Sequence, residues 1–191
     1  MALHLIIFGR QGAGKGTQSQ HLVDNFGVVH VSTGDMLRAA IAAETELGLA
    51  VKQILDSGGL VDDDTMIGLV AERLAQDDIV KHGVLLDGFP RTVAQAERLV
   101  ELLADRSIDA AINLEVSVDE CTARMLARGR KDDTHEAIAE RLGLYQEETV
   151  PTIEWLRSQG KLVQVDGLGS EEEVSDRVRS ALEAAVKDGH R

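Results

Sequence analysis

The sequence contains a single cysteine, Cys121, in 191 residues. One thiol cannot build a disulfide framework or a four-cysteine zinc site, and such sparse use fits a reducing compartment. Proline is nearly as scarce, with Pro90 and Pro151 alone, and no linker-like stretch, internal repeat or low-complexity segment divides the chain. No apolar run approaches the roughly 20 residues that a membrane-crossing helix needs. The amino terminus enters Leu3–Phe8 without the basic region and cleavage site of a signal peptide. Positive charge is also in deficit: 20 Lys and Arg against 33 Asp and Glu leave a formal net charge of −13. A field of that sign repels nucleic acid and anionic lipid, so neither is expected as a partner. These absences point to a soluble, cytoplasmic protein.

What is present is a globular composition, 43% apolar and 28% charged. The length suits one core carrying small inserted lobes rather than two full domains. The basic residues are skewed, with 14 Arg and 6 Lys. The guanidinium fork suits bidentate phosphate contacts, although a GC-rich genome would produce the same bias. Any polyanionic ligand must be captured by a local cluster of these groups, against the overall field.

Short apolar runs at Leu3–Phe8, Val28–Val31, Val84–Asp87, Ala111–Val116 and Leu162–Val165 read as buried parallel strands. Helix-length segments separate them. Ser117–Glu120, Asp133–Glu136 and Ser170–Glu173 each pair a capping residue with a glutamate three positions later. Strands alternating with helices predict right-handed crossovers and a three-layer α/β/α fold around a five-stranded parallel sheet. The stretch from Val31 to Val84 is too long for one crossover. Its helical patterns at Met36–Ala43, Leu47–Leu55 and Thr65–Gln76 predict an inserted helical lobe.

The chemistry is most legible in Gly9-Arg-Gln-Gly-Ala-Gly-Lys-Gly-Thr17, which follows a strand and opens a helix. Glycines there let successive backbone N–H groups, including those of Gly12, Ala13, Gly14 and Gly16, face one anion beside a helix N-terminus. Lys15 adds a mobile cation, and Thr17 can orient a phosphate oxygen or a magnesium-bound water. Asp87 ends the third strand beside that loop, where a carboxylate can hold magnesium directly or through water. Pro90 stiffens the following turn and projects Arg91 to the same edge.

The loop, Ser32-Thr-Gly-Asp-Met-Leu-Arg38 and Leu86-Asp-Gly-Phe-Pro-Arg-Thr92 together resemble the three hallmark segments of the adenylate kinase family, in its order and separations. Gly129–Asp133 and Val165-Asp-Gly167 extend the likeness along nearly the whole chain. The resemblance implies a P-loop core (1–31, 62–127 and 138–191), an AMP-binding lobe (32–61) and a short lid (128–137). It implies reversible transfer of a phosphoryl group from Mg-ATP to AMP, giving two ADP, by a monomer. Thr33 and Gly34 would meet AMP, with Thr33 near adenine and Arg38 on the phosphate. Leu60, Val61, Gly88 and Arg91 would also contact AMP, and Gln95 would read its base. Arg128 and Arg130 match lid arginines that reach the ATP phosphates, and Arg141 an arginine that bridges donor and acceptor. Gly167 matches the loop facing the ATP adenine. Lys15, Arg38, Arg91, Arg130 and Arg141 would surround the group in transfer.

Plainer readings stand beside these. Thr33 suits a helix N-cap, and Arg128 and Arg130 suit a helix C-terminus. Asp132 and Asp133 suit the cap of the next helix, or hold the lid arginines. Tyr145 and Trp155 read as packing, and the six histidines show no metal or base spacing. Gln11 stands where related loops commonly carry proline. With only Gly129 between Arg128 and Arg130, the lid is too short for the zinc-bearing form, so no zinc is expected. A pyrimidine nucleoside monophosphate kinase and a non-catalytic P-loop module remain as alternatives; Thr33 and Gln95 favour adenine.

Overall fold

The computed structural model describes residues 2–57, 59–130 and 133–189. All five expected strands form: β1 (Leu3–Gly9), β2 (Val29–Ser32), β3 (Gly83–Asp87), β4 (Ala110–Glu115) and β5 (Leu162–Asp166). They make one parallel sheet in the order β2-β3-β1-β4-β5. Leu5 registers with Leu85 and Ile7 with Ile112, which puts β1 at the centre. Leu5, Ile6 and Ile7 are at most 1% exposed, so both faces of this strand are covered. That is why the strands read as continuous apolar runs and not as alternating ones.

The helices divide between the two faces. Leu5, Ile7, Leu85, Ile112 and Leu114 pack under α1 (Lys15–Phe26), α7 (Val118–Arg128), α8 (His135–Leu144) and α10 (Glu171–Gly189). Ile6, Phe8, Val84 and Leu86 pack under α4 (Asp63–Leu74), α5 (Asp77–His82), α6 (Val93–Leu103) and α9 (Val150–Ser158). A π-helical turn, Tyr145–Thr149, joins α8 to α9. The expected three-layer α/β/α architecture is therefore present. Truncating a fully buried leucine such as Leu85 to alanine costs about 2–5 kcal/mol in such cores.

Between β2 and α4 lie α2 (Thr33–Ala42) and α3 (Glu46–Ser57). Their contact depends on Gly48, because a Cβ there would sit 2.2 Å from the Ala40 carbonyl oxygen. The helix expected at Thr65–Gln76 is α4, set two residues earlier, and a further short helix, α5, follows it before β3.

Helix starts show where the local reading holds and where it fails. Ser117 caps α7 by accepting from the Glu120 N–H. Ser170 and Glu173 form a reciprocal pair at α10, Ser170 N–H to Glu173 Oε2 and Glu173 N–H to Ser170 Oγ. Two expected caps are displaced by one residue. Ser32, not Thr33, caps α2, accepting from the Asp35 N–H, and Thr33 becomes the first helical residue. Thr134, not Asp133, caps α8, accepting from the Ala137 N–H. In both cases the residue that loses the cap is nearly inaccessible, 1% exposed for Thr33 and 9% for Asp133. Each has an interior partner that the neighbouring hydroxyl does not. Asp132 lies outside the described residues.

Candidate active site

In an open parallel sheet the ends of strands on either side of a reversal in order leave a crevice. Here β1 is flanked by β3 and β4, and the crevice opens at their carboxyl ends. It holds a cavity of about 420 Å³. Gly9–Thr17 forms one wall after β1, Asp87–Arg91 a second after β3, and Gly34, Arg38 and Leu60 a third.

The phosphate loop is locked by steric fit. Gly12 has φ +87°, and a Cβ there would lie 2.5 Å from the Cys121 carbonyl oxygen. Helix α1 begins at Lys15 after left-handed Gly14, with no side-chain cap on its first N–H groups. Those donors remain available to an anion. Lys15 arches back so that Nζ donates to the carbonyls of Gly9 at 2.9 Å and Arg10 at 3.3 Å. Burial lowers its pKa, opposed by the negative charge of Asp87. Arg10 pins the loop from outside, donating to the Val116 carbonyl at 3.3 Å with its guanidinium 5.4 Å from the Tyr145 ring centre.

Asp87 lies at the end of β3 with His30 Nε2 3.6 Å from its Oδ2. Burial alone would raise its carboxyl, but the imidazole, then Lys15 and Arg91, outweigh burial and hold it below its ordinary value. Asp87 is therefore a carboxylate at neutral pH. The next turn runs through Gly88, with φ +83°, and a cis Phe89–Pro90 bond. A Cβ at Gly88 would sit 2.8 Å from Thr33 Oγ1, so a bare backbone is required where α2 meets this turn. The Thr33 hydroxyl donates to the Asp87 carbonyl at 3.3 Å. Arg91 Nε donates to the Gly88 carbonyl at 2.8 Å. Its pKa is lowered by burial and by neighbouring Arg141 and Arg38, despite Asp87. Arg38, Arg91 and Arg141 thus crowd one another at this edge, with Arg38 paired to Asp35 and Arg141 to Asp133.

On the other side Asp133 organises the arginines. Its carboxylate accepts from Arg128 Nε at 3.0 Å, Arg128 NH2 at 2.8 Å, the Arg130 backbone N–H at 3.1 Å and Arg141 NH1 at 3.3 Å. Burial would raise its pKa, and these arginines more than reverse that. Holding Arg128, Arg141 and the Arg130 backbone, and not capping, is what Asp133 does.

Of the residues predicted from sequence, Gly12, Gly14, Lys15, Gly16, Thr17, Gly34, Arg38, Leu60, Asp87, Gly88, Arg91, Arg128, Arg130 and Arg141 all line the cavity. Ala13, Thr33, Val61, Gln95 and Gly167 do not line it. Ala13 and Val61 are core residues. Gln95 is 2% exposed, accepting from the Arg91 N–H at 2.7 Å and donating to Asp63 Oδ1 at 2.7 Å. Gly167 donates to the Glu115 carbonyl, and its Cα faces Val116 and the Ala13 carbonyl.

Several cleft residues were missed. Arg124 lines the cavity one helical turn before Arg128. Its sequence signal was the 120–124–128 spacing on one helix face, and its ion pair with Glu120 at 2.7 Å mimics an ordinary solvated pair. His30 follows the alternation of β2 into the cleft. Tyr145 is packing, as read, with its hydroxyl donating to Asn113 Oδ1 at 3.3 Å, but it also borders the cavity. Burial pushes its phenol up to about 12, which excludes it as a base near neutral pH.

Lys15, Arg38, Arg91, Arg124, Arg128, Arg130 and Arg141 meet only Asp35 and Asp87 as acidic lining among the described residues. Cationic walls around a glycine-rich loop, in an otherwise acidic molecule, define a P-loop protein built to receive more than one phosphate group. A family model described as adenylate kinase matches residues 7–161. An adenylate kinase of Xanthomonas oryzae pv. oryzae is 44% identical over 186 residues, covering 94% of this chain and 99% of the relative. Those of Nitrobacter hamburgensis and Azorhizobium caulinodans are 46% and 45% identical, each over 96% of this chain and over 94% and 100% of the relatives. The chain belongs to the adenylate kinase family. It is an enzyme, and the ATP:AMP phosphotransfer expected from its motifs is the reaction of that family.

Proposed function

We propose that this chain transfers the γ-phosphoryl group of ATP directly to AMP, and in reverse between two ADP, within the single cleft. The observation that carries this reading is the distribution of the cations. Lys15 belongs to the phosphate loop, Arg38 to the inserted helices, Arg91 to the turn after β3, and Arg128, Arg130 and Arg141 to the α7–α8 region, yet all border one cavity. A polyphosphate from one side and a monophosphate from the other would each neutralise charges that otherwise repel.

The reaction asks little covalent chemistry of the protein. The AMP phosphate is already ionised near neutral pH, so no general base is required, and in-line positioning with charge stabilisation supplies the acceleration. Backbone donors of Gly12–Thr17 and the Lys15 ammonium would hold the donor phosphates. Arg38 and Arg91 would hold AMP, with Arg130 and Arg141 over the group in transfer. Thr33, Gly34, Leu60, Val61, Gly88 and Gln95 would shape the AMP end, where Gln95 retains one N–H and one lone pair. Arg128 and the Gly167 loop would face ATP. Residues 32–61 and 128–137 would close as lobe and lid, excluding water as a competing nucleophile.

The Asp87 carboxylate and the Thr17 hydroxyl are hard oxygen donors at the phosphate end of the cleft. No cluster of three or more acidic, histidine or cysteine side chains that could hold a metal occurs among the described residues. Few protein ligands beside substrate phosphates is the pattern magnesium favours, so the donor set fits that ion, held through water. When bound, magnesium would neutralise charge on the donor phosphates. We further infer a monomer in the cytoplasm, acting on ATP, AMP and ADP without nucleic acid or membrane. No helix among the described residues is long and apolar enough to cross a bilayer.

Incubation of ATP with each nucleoside monophosphate tests the reading. ADP should form rapidly with AMP, weakly with UMP or CMP, and very slowly with no acceptor. Fast acceptor-independent hydrolysis, or preference for a pyrimidine, would overturn it.

A further inference from the structure

Gln11 sits in the first turn of the phosphate loop and lines the cleft, yet its Oε1 is closed off from solvent and meets no donor among the described residues. A buried polar atom without a partner is uncommon in native structures and needs a reason. Gln18, also with an unpartnered buried Oε1, at least donates its amide N–H to the Glu171 carbonyl. No such anchor holds the Gln11 side chain among the described residues.

Its placement is fixed from both sides. Arg10 is tied to the Val116 carbonyl and stacked on Tyr145. Gly12 is wedged against the Cys121 carbonyl, where even a methyl group would collide. The intervening carboxamide therefore cannot withdraw by shifting the loop. Only the oxygen is closed off, and Nε2 is not among the buried unpartnered atoms. The amide can thus offer its N–H groups to whatever enters the cleft, and phosphate oxygens are acceptors.

We propose that Gln11 is a further catalytic group, whose Nε2 donates a hydrogen bond to an oxygen of the phosphoryl group as it passes between nucleotides. This rests on the phosphotransfer reading above and deepens it. The bond from phosphorus to the ADP leaving oxygen breaks as the bond to the AMP oxygen forms. Gln11 transfers no proton and stays neutral, contributing only a fixed dipole at the charge that develops. Related loops commonly carry proline at this position, which offers no side-chain donor. This chain therefore has a contact that a proline-bearing loop lacks.

Three variants test the proposal: Gln11→Met, similar in size without polar atoms, Gln11→Glu, with oxygen in place of the amide nitrogen, and Gln11→Ala. Met and Ala should lower kcat by about 10–100-fold, as for loss of a single preorganised donor, and Glu by more. The dissociation constants for ATP and AMP should stay within about threefold for Met. Gln11→Met should also raise the thermal unfolding midpoint, because it removes an unpartnered buried oxygen. A kcat within twofold of the parent for both Met and Glu would overturn the proposal. So would a loss of kcat matched by an equal loss of ATP affinity, since that marks a collapsed loop. Failure of the parent itself to make ADP from ATP and AMP would instead refute the phosphotransfer reading.

Discussion

Asp133 grips Arg128 with both carboxylate oxygens, at 3.0 and 2.8 Å, and the same carboxylate reaches Arg141 at 3.3 Å. One buried anion therefore aligns guanidinium groups from α7 and α8. Without it they would repel, and repulsion would scatter the groups meant for phosphate.

Replacing Asp133 by asparagine should cost about 1.5–3 kcal/mol, the range for hydrogen bonds to charged groups. Urea unfolding would measure the loss. Turnover should fall beyond what the stability loss explains, because Arg128 and Arg141 would no longer be held in place. Unchanged turnover would show that the arginines are positioned by something else.

The same carboxylate makes stability depend on pH with a definite sign. Asp133 and Asp87 both titrate lower in the folded chain than the usual carboxylate value. Asp78, bound at both oxygens by Arg73, is brought down to about 2. Between the folded values and about 3.9 the unfolded chain binds more protons. Their contribution is thus complete above about pH 4 and is lost as acid carries the protein down through the folded values. Chemical denaturation across that range should show the decline, and Asp133→Asn should make it shallower.

Lys15→Met should reduce kcat by about 10³-fold or more, as expected when a central phosphate-binding cation is lost. Arg38→Ala and Arg91→Ala should each cost about 10²–10⁴ in kcat/KM for AMP, with ATP binding less affected. Steady-state kinetics with each nucleotide varied in turn would separate the two ends of the cleft. Equal effects of Arg38→Ala on both substrates would refute the assignment of ends.

Gly48→Ala should disturb the inserted helices specifically. Its methyl group would be placed 2.2 Å from the Ala40 carbonyl oxygen, so α2 and α3 must separate. Overpacking of this kind costs about 1–3 kcal/mol. AMP should bind more weakly while ATP affinity holds, which isothermal titration would resolve.

These effects were partly readable in the sequence. The strands were legible because both faces of the sheet are covered, leaving uninterrupted apolar runs such as Leu5-Ile6-Ile7. The phosphate loop and Asp87 were legible because spacing along one strand end fixes position in space. Adjacent capping candidates were not. Ser32 against Thr33, and Thr134 against Asp133, are decided by which neighbour finds an interior partner, and that partner lies far along the chain for Thr33. Arg124 stayed hidden because its local pairing with Glu120 looks complete without a ligand. Gln11 was noted only as a departure from proline. Its significance depends on Arg10 and Gly12 being immobilised by Val116, Tyr145 and Cys121, residues more than a hundred positions away.

The bent-back Lys15 sets a threshold for admission to the cleft. Its ammonium already rests on two peptide oxygens, so an incoming guest must displace dipoles held at contact distance rather than loose water. A chain of linked phosphates can draw the ammonium off these carbonyls while the uncapped α1 amides take up its remaining oxygens, so occupation of the loop and release of the Lys15 side chain are one event.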